Sequence, residues 1–98
     1  MARIIWAPSA LGDLEALLSY IGRDAPSTAR RFAQRVIDRV EQLATHPFSG
    51  AHVSEDDSGR YREVLQGNYR IIYRTDGETV FIVRLHHAAR LLDAGDLR

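Results

Sequence analysis

Tyr69-Arg70-Ile71-Ile72-Tyr73-Arg74 alternates at strand period. It leads through Asp76-Gly77, a hairpin dipeptide, into a second apolar run from Val80 to Leu85 that ends on His86 and His87. Upstream, Arg60 to Gln66 reads as a further strand, joined to the first by the two-residue turn Gly67-Asn68. These segments predict a three-stranded antiparallel meander. It carries the clearest core signal and the densest set of Arg, Tyr and His.

The N-terminal half has a different period. Arg3 to Ala7 reads as a short strand that Pro8 stops. Leu11, Leu14, Leu18 and Ile21, with Leu17 beside them, recur at helical spacing and predict a helix from about Ser9 to Arg23, with Ser9 a nearby capping hydroxyl. Asp24-Ala25-Pro26-Ser27 is a break. Ala29, Phe32, Ala33, Val36, Val40, Leu43 and Ala44 then predict a second helix from about Ser27 to Thr45, ending before Pro47. Two antiparallel helices with a short connection form a helical hairpin. The fourteen residues from His46 to Gly59 contain Pro, Gly, Ser and three consecutive acids, and predict a long, functional loop. Arg90 to Leu97 is expected to form a short C-terminal helix. The fold class is therefore α+β: N-terminal strand, helical hairpin, meander and short C-terminal helix.

At 98 residues the chain is expected to be one domain, residues 1–98, burying about 60–65% of its unfolded surface. A 45% hydrophobic and 27% charged composition is that of a folded globular protein. There is no cysteine, which excludes disulfides, thiolate metal sites and a cysteine nucleophile. No apolar run approaches the ~20 residues of a membrane helix, and no signal peptide is read at the N-terminus. A cytoplasmic location without membrane association is expected. The formal net charge is +0, yet all thirteen cationic side chains are Arg. No lysine is available as a general base, and every fixed cation is a planar fork suited to phosphate or carboxylate. From Arg60 to Arg90 six Arg oppose three acids, so this half can face an anionic partner.

If both turns are two-residue, Gln66 faces Tyr69 and Thr75 faces Glu78. One face then carries Val64, Tyr69, Ile71, Tyr73, Val80 and Ile82, with Arg62, Arg84 and His86 at its margins. The other carries Leu65, Ile72, Phe81, Val83 and Leu85, with Arg70, Arg74, Glu63 and His87. Both faces have an apolar centre. Glu63 lies diagonal to Arg70 and Arg74, and an ion pair there gives both arginines a sufficient structural role. Tyr61, Tyr69 and Tyr73 are expected as half-buried sheet residues. His86 and His87 point to opposite faces, and neither has partners at metal-ligand spacing, so no metal or cofactor is expected. No serine sits in a nucleophile elbow, and there is no Gly-rich phosphate loop.

The element order resembles that of the ParE/RelE superfamily of type II toxins. Asp13-Leu14-Glu15 and Tyr20-Ile21, Arg31-Phe32, and His46-Pro47-Phe48-Ser49-Gly50 are similar to that superfamily's helix and turn motifs. Arg62-Glu63-Val64 before Tyr69 to Arg74, then Val83-Arg84-Leu85-His86 with Ala89-Arg90, resemble its strand pair and closing signature. The resemblance implies a toxin neutralised by a cognate antitoxin, ParD-like or RelB-like, in a hetero-oligomer. It implies one of two targets. RelE-type members cut mRNA on the ribosome; ParE-type members poison DNA gyrase and carry no hydrolytic site.

Cleavage through the 2′-hydroxyl needs a base, an acid and cations for the developing charge. Nuclease members of the YoeB type have a Glu after Pro-Phe, where this chain has Ser49. They have a Lys in the next loop, absent here, and end the last strand in His-Tyr, here His86-His87. Arg70 and His86 match. Were the chain a nuclease, Arg70, His86 and His87 would be its catalytic set. The wording of the motifs is nearer ParE, so the expectation is binding without catalysis. Arg84, His86, His87 and Arg90 would face the target, and Leu11, Leu17, Leu18 and Tyr20 the antitoxin. A third class, a toxin-fold binding protein without toxicity, stays open.

Overall fold

A computed structural model describes residues 1–97. The chain runs β1 (Arg3–Trp6), α1 (Pro8–Gly22), α2 (Pro26–Thr45), β2 (Ala51–His52), β3 (Tyr61–Gln66), β4 (Tyr69–Thr75) and β5 (Thr79–His87). It is α+β, with both helices laid on a five-stranded sheet of order β1-β5-β4-β3-β2. β1 runs parallel to β5, in register Arg3 with Thr79 through Trp6 with Ile82; the other pairs are antiparallel. The short C-terminal helix forms as a single 3-10 turn, Ala94–Leu97, and not as an α-helix from Arg90. A segment this short, with Gly95 inside it, cannot nucleate an α-helix on its own. The long loop gains the two-residue strand β2, with Ala51 opposite Glu63.

Pro8 and Pro26 each open a helix at its first turn, where the missing N–H is not needed. No side chain caps either helix. The Ser9 hydroxyl instead donates to the Val83 carbonyl on β5, 2.8 Å away. On α1 the fully buried residue is Ala10. Leu14 packs on the core from a half-buried position, while Leu11 is exposed. On α2, Ala29, Val36, Val40, Leu43 and Ala44 are buried as the period predicts.

The first turn of the meander pairs Gln66 with Tyr69 as expected. Gly67 has φ +59 and Asn68 does not have positive φ, which is the II′ pattern of a two-residue hairpin. The second turn is longer: Thr75 pairs with Val80, not Glu78. That shift of two residues leaves each side chain on its expected face. A β-bulge then adds a third. Ile72 opposes Arg84, while the next residue, Tyr73, opposes Ile82, so Val83 is the extra residue. Beyond it every side chain changes face. Leu85 joins the helix-covered core of Val36, Val40, Leu43, Ile71, Tyr73, Val80 and Ile82, and His87 lies on that side opposite Tyr69. Arg84 and His86 move to the other face, opposite Ile72 and Arg70. The cause is burial. Bringing Leu85 inward is worth roughly 1.5–3 kcal/mol, and no ion pair is lost for it: Arg70–Glu63 and Arg84–Asp13 both form.

The second face is also covered. Val53, Ile72, Leu92 and Leu97 form a smaller core, with Tyr61 and Val83 against it. The sheet's apolar centre on both sides is thus explained by the helices on one face and the loop and C-terminal segment on the other. Tyr73 is fully buried; its hydroxyl donates to the Pro47 carbonyl at 2.8 Å and accepts from the Gly50 N–H at 2.9 Å. Gly50 touches this hydroxyl so closely that a Cβ there would lie 2.6 Å from it.

Candidate functional site

β1 ends at Trp6, which pairs with Ile82 immediately before the bulge, so the α1 side of β5 has no strand beside it from Val83 onward. α1 fills that place with side chains. Ser9 satisfies the Val83 carbonyl, and Asp13 accepts the Leu85 N–H at 3.0 Å. Asp13 also takes the Arg84 fork, from Nε at 2.9 Å and Nη2 at 2.9 Å. This bidentate hydrogen bonding holds Arg84 firmly charged, with its pKa raised above the ordinary arginine value.

Past this clamp a groove of about 580 Å³ opens between α1 and the far ends of β4 and β5. Arg84, His86, His87 and Arg90 all line it, together with Leu17 and Tyr20. The four residues expected to meet a target are therefore brought together, although the two histidines lie on opposite faces of β5. Tyr20 stands 71% exposed on the rim. Leu11 and Leu18 do not line the groove; Leu11 is exposed elsewhere on α1 and Leu18 is half-buried.

Each histidine has one ring nitrogen committed. His86 Nε2 lies 3.1 Å from the Arg90 carbonyl, which can only accept, so this nitrogen donates. His87 Nδ1 accepts the Ala89 N–H at 3.1 Å. The His87 ring meets Tyr69 edge-on at 5.2 Å, and Tyr69 meets Phe32 of α2 at 5.5 Å. These contacts fold the chain back after β5, and a bond from the Ala88 N–H to the Asn68 carbonyl pins the return.

Arg70 sits elsewhere, buried on the second face. Its Nε donates to Glu63 at 2.8 Å, and its Nη1 and Nη2 donate to Glu55 at 2.7 and 2.8 Å. Hydrogen bonds from Arg70 lower the Glu55 carboxyl to a pKa of about 2, and the paired carboxylates raise Arg70 above its ordinary value. The expected Arg70–Glu63 pair forms, with Glu55 as an added partner. Arg74 does not join it; its guanidinium lies over the Phe81 ring, 4.1 Å from the centroid.

Two participants escaped the reading of the sequence as contributors to the site. Asp13 lies in α1 at the spacing of the inward residues Ala10, Leu14 and Leu17, and an acid on an inward face requires a cationic partner; that signal was legible. Glu55 belongs to an acidic run in a loop, and nothing local marks which of three acids reaches the sheet.

A helical hairpin over this mixed sheet is the fold that the ParE/RelE resemblance implies. The chain matches the sequence model of the ParE toxin of type II toxin-antitoxin systems, parDE, over residues 4–92, and it belongs to that family. It is 38% identical to Toxin RelE2 of Caulobacter vibrioides over 92 residues, covering 93% of this chain and 100% of that one. To Toxin RelE3 of the same organism it is 31% identical over 88 residues, covering 90% and 96%. The fold is similar to a structure described as the chromosomal ParDE system from P. aeruginosa, with TM-score 0.74, 20% identity and coverage of 89% and 96%. The RelBE2 toxin-antitoxin complex from Mycobacterium tuberculosis follows, with TM-score 0.63, 22% identity and coverage of 88% and 96%. The chain is thus a type II toxin-antitoxin toxin by family. Among the described residues no helix is long and apolar enough to cross a membrane.

Proposed function

We propose that this toxin acts by binding DNA gyrase through the groove at the end of β5, and that an antitoxin neutralises it. Arg90 and the exposed edges of His86 and His87 supply the polar contacts, and Arg84 is held in place by Asp13. The antitoxin is expected against the exposed side of α1, where Leu11 and Tyr20 present apolar surface 43% and 71% exposed.

One observation carries the preference for binding over cutting. The nuclease set of Arg70, His86 and His87 is not assembled on one face: the neighbouring histidines project to opposite sides of β5, and the bulge puts His86 opposite Arg70 and His87 on the helix side. Arg70 is moreover hydrogen-bonded to Glu55 and Glu63 along all three nitrogens, leaving it poorly placed to meet a developing phosphate charge.

A second reading, ribosome-dependent mRNA cleavage, is favoured by the direct Arg70–His86 pairing and by relatives named RelE. Purified toxin is to be assayed in parallel for gyrase-dependent DNA breaks and for cleavage of mRNA on ribosomes. Gyrase-dependent breaks that Arg90→Ala weakens are expected. Ribosomal cuts abolished by His86→Ala would sink the gyrase reading, and an induced chain that leaves growth unaffected would remove both.

A further inference from the structure

The second face of the sheet carries a separate groove of about 600 Å³ near the β4–β5 turn. It shares no lining residue with the groove at the other end of these strands. Its floor includes Arg74, Phe81, Tyr61 and Val83, and Arg60 and Asp76 stand at its border.

The chemistry here differs from that around Arg70 and Arg84. Arg70 and Arg84 are each bonded to carboxylates. Among the described residues neither Arg60 nor Arg74 makes a salt bridge. The Arg74 guanidinium carbon lies 4.1 Å from the Phe81 ring centroid, a cation–π contact that does not use up its N–H donors. The one acid at the border, Asp76, is tied to its own loop through one oxygen, Oδ1, which accepts the Glu78 and Thr79 N–H groups at 2.9 Å each. One planar cation over an aromatic ring and a second at the border, neither in a salt bridge among the described residues, therefore line this groove in a chain of zero net charge. A groove of this size is in the range of small-ligand sites. It crosses β3, β4 and β5 and reaches Ala7 and Ser9 beyond the end of β1, where the Ser9 hydroxyl already occupies the Val83 carbonyl that an added strand would need. A stacked base with an attached phosphate needs no such carbonyl.

We propose that this groove binds a phosphorylated nucleoside, with the base on the Arg74–Phe81 stack and the phosphate at Arg60. The phosphate can belong to a free nucleotide or to a strand end, and titration calorimetry on the full chain separates the two. The probes are AMP, GMP, adenosine, pyrophosphate and a short single-stranded oligonucleotide carrying a 5′-phosphate. Binding of a nucleotide is expected to exceed that of adenosine and of pyrophosphate. Arg74→Gln, which loses one charge-assisted contact and the stack, is expected to weaken it about tenfold or more. Arg60→Gln is expected to reduce the advantage of AMP over adenosine. Tighter binding of the oligonucleotide than of AMP assigns the site to a strand end; the reverse assigns it to a free nucleotide. Circular dichroism confirms that both variants are folded. No nucleotide binding at millimolar concentration, or binding that Arg74→Gln leaves unchanged while Arg90→Ala abolishes it, overturns the proposal.

Discussion

The two ends of the β4–β5 hairpin treat arginine in opposite ways. Toward the start of β4 and the end of β5, Arg70 and Arg84 are locked by bidentate carboxylates from distant segments, Glu55 and Asp13. Toward the turn, Arg74 rests on an aromatic ring and makes no salt bridge among the described residues. The same side chain thus serves as a tie between segments at one end and as an unfilled donor at the other. A paired arginine contributes to the fold; an unpaired one over an aromatic face is available to a partner.

The largest effect is expected at Arg70. Its side chain is 9% exposed, and removing it leaves Glu55 and Glu63 facing each other without a cation. Breaking a buried pair costs about 3–5 kcal/mol, and the partial exposure of both glutamates brings the expectation for Arg70→Ala to about 2–4 kcal/mol. Urea denaturation reads this directly. A loss below about 1 kcal/mol would mean that the cluster is a solvated network, and the contrast between the two ends would fail.

Asp13→Ala comes next. It removes both Arg84 contacts and leaves the Leu85 N–H without its acceptor, for an expected loss of about 1–3 kcal/mol in the same assay. The variant also separates support from contact. If Asp13 acts by holding Arg84, then Asp13→Ala and Arg84→Ala will weaken target binding by similar factors, and the double variant will add little. Full additivity would show that the two residues act independently.

Local pattern carried most of the elements. The 3.6 period placed α1 and α2 within one residue of their ends, and hairpin dipeptides placed β3, β4 and β5. What pattern does not carry is pairing between distant segments. The parallel contact of β1 with β5 spans more than seventy residues, and it decides which part of β5 is left for α1 to cover. The bulge at Val83 was invisible for a related reason. A strand's own alternation does not tell where an extra residue will be tolerated, and the reward for tolerating it is Leu85 in a core built mostly by α2 and β4. That one residue reversed the faces of Arg84, His86 and His87. The site was therefore legible as a set of residues at the end of β5 but not as a geometry. Asp13 was readable as an acid on an inward helix face; Glu55, one of three loop acids, was not.

A smaller, pH-dependent effect follows from Glu55. Its carboxyl has a pKa of about 2 in the folded protein against an ordinary 4.5, because Arg70 donates to it. A depressed folded value means stability that is fully present above about pH 4.5 and is lost as the pH falls toward 2. Glu55→Gln cannot titrate, so its denaturation midpoint is expected to fall less than that of the unmodified chain across this window. Identical acid limbs for the two proteins would show that Glu55 is not held by Arg70 in solution.

The smallest effect is expected at the open end, and it is the sharpest check on the contrast. Arg74→Gln breaks no salt bridge among the described residues and loses only a half-exposed stack on Phe81. Such a contact is worth about 0.5–1 kcal/mol, so the variant should unfold within about 1 kcal/mol of the unmodified chain. A loss approaching that of Arg70→Ala would make Arg74 a second structural tie, and the turn end would no longer differ in kind from the other. A near-neutral result leaves a planar cation that the fold does not need for its own stability, held over an aromatic ring and open to a ligand.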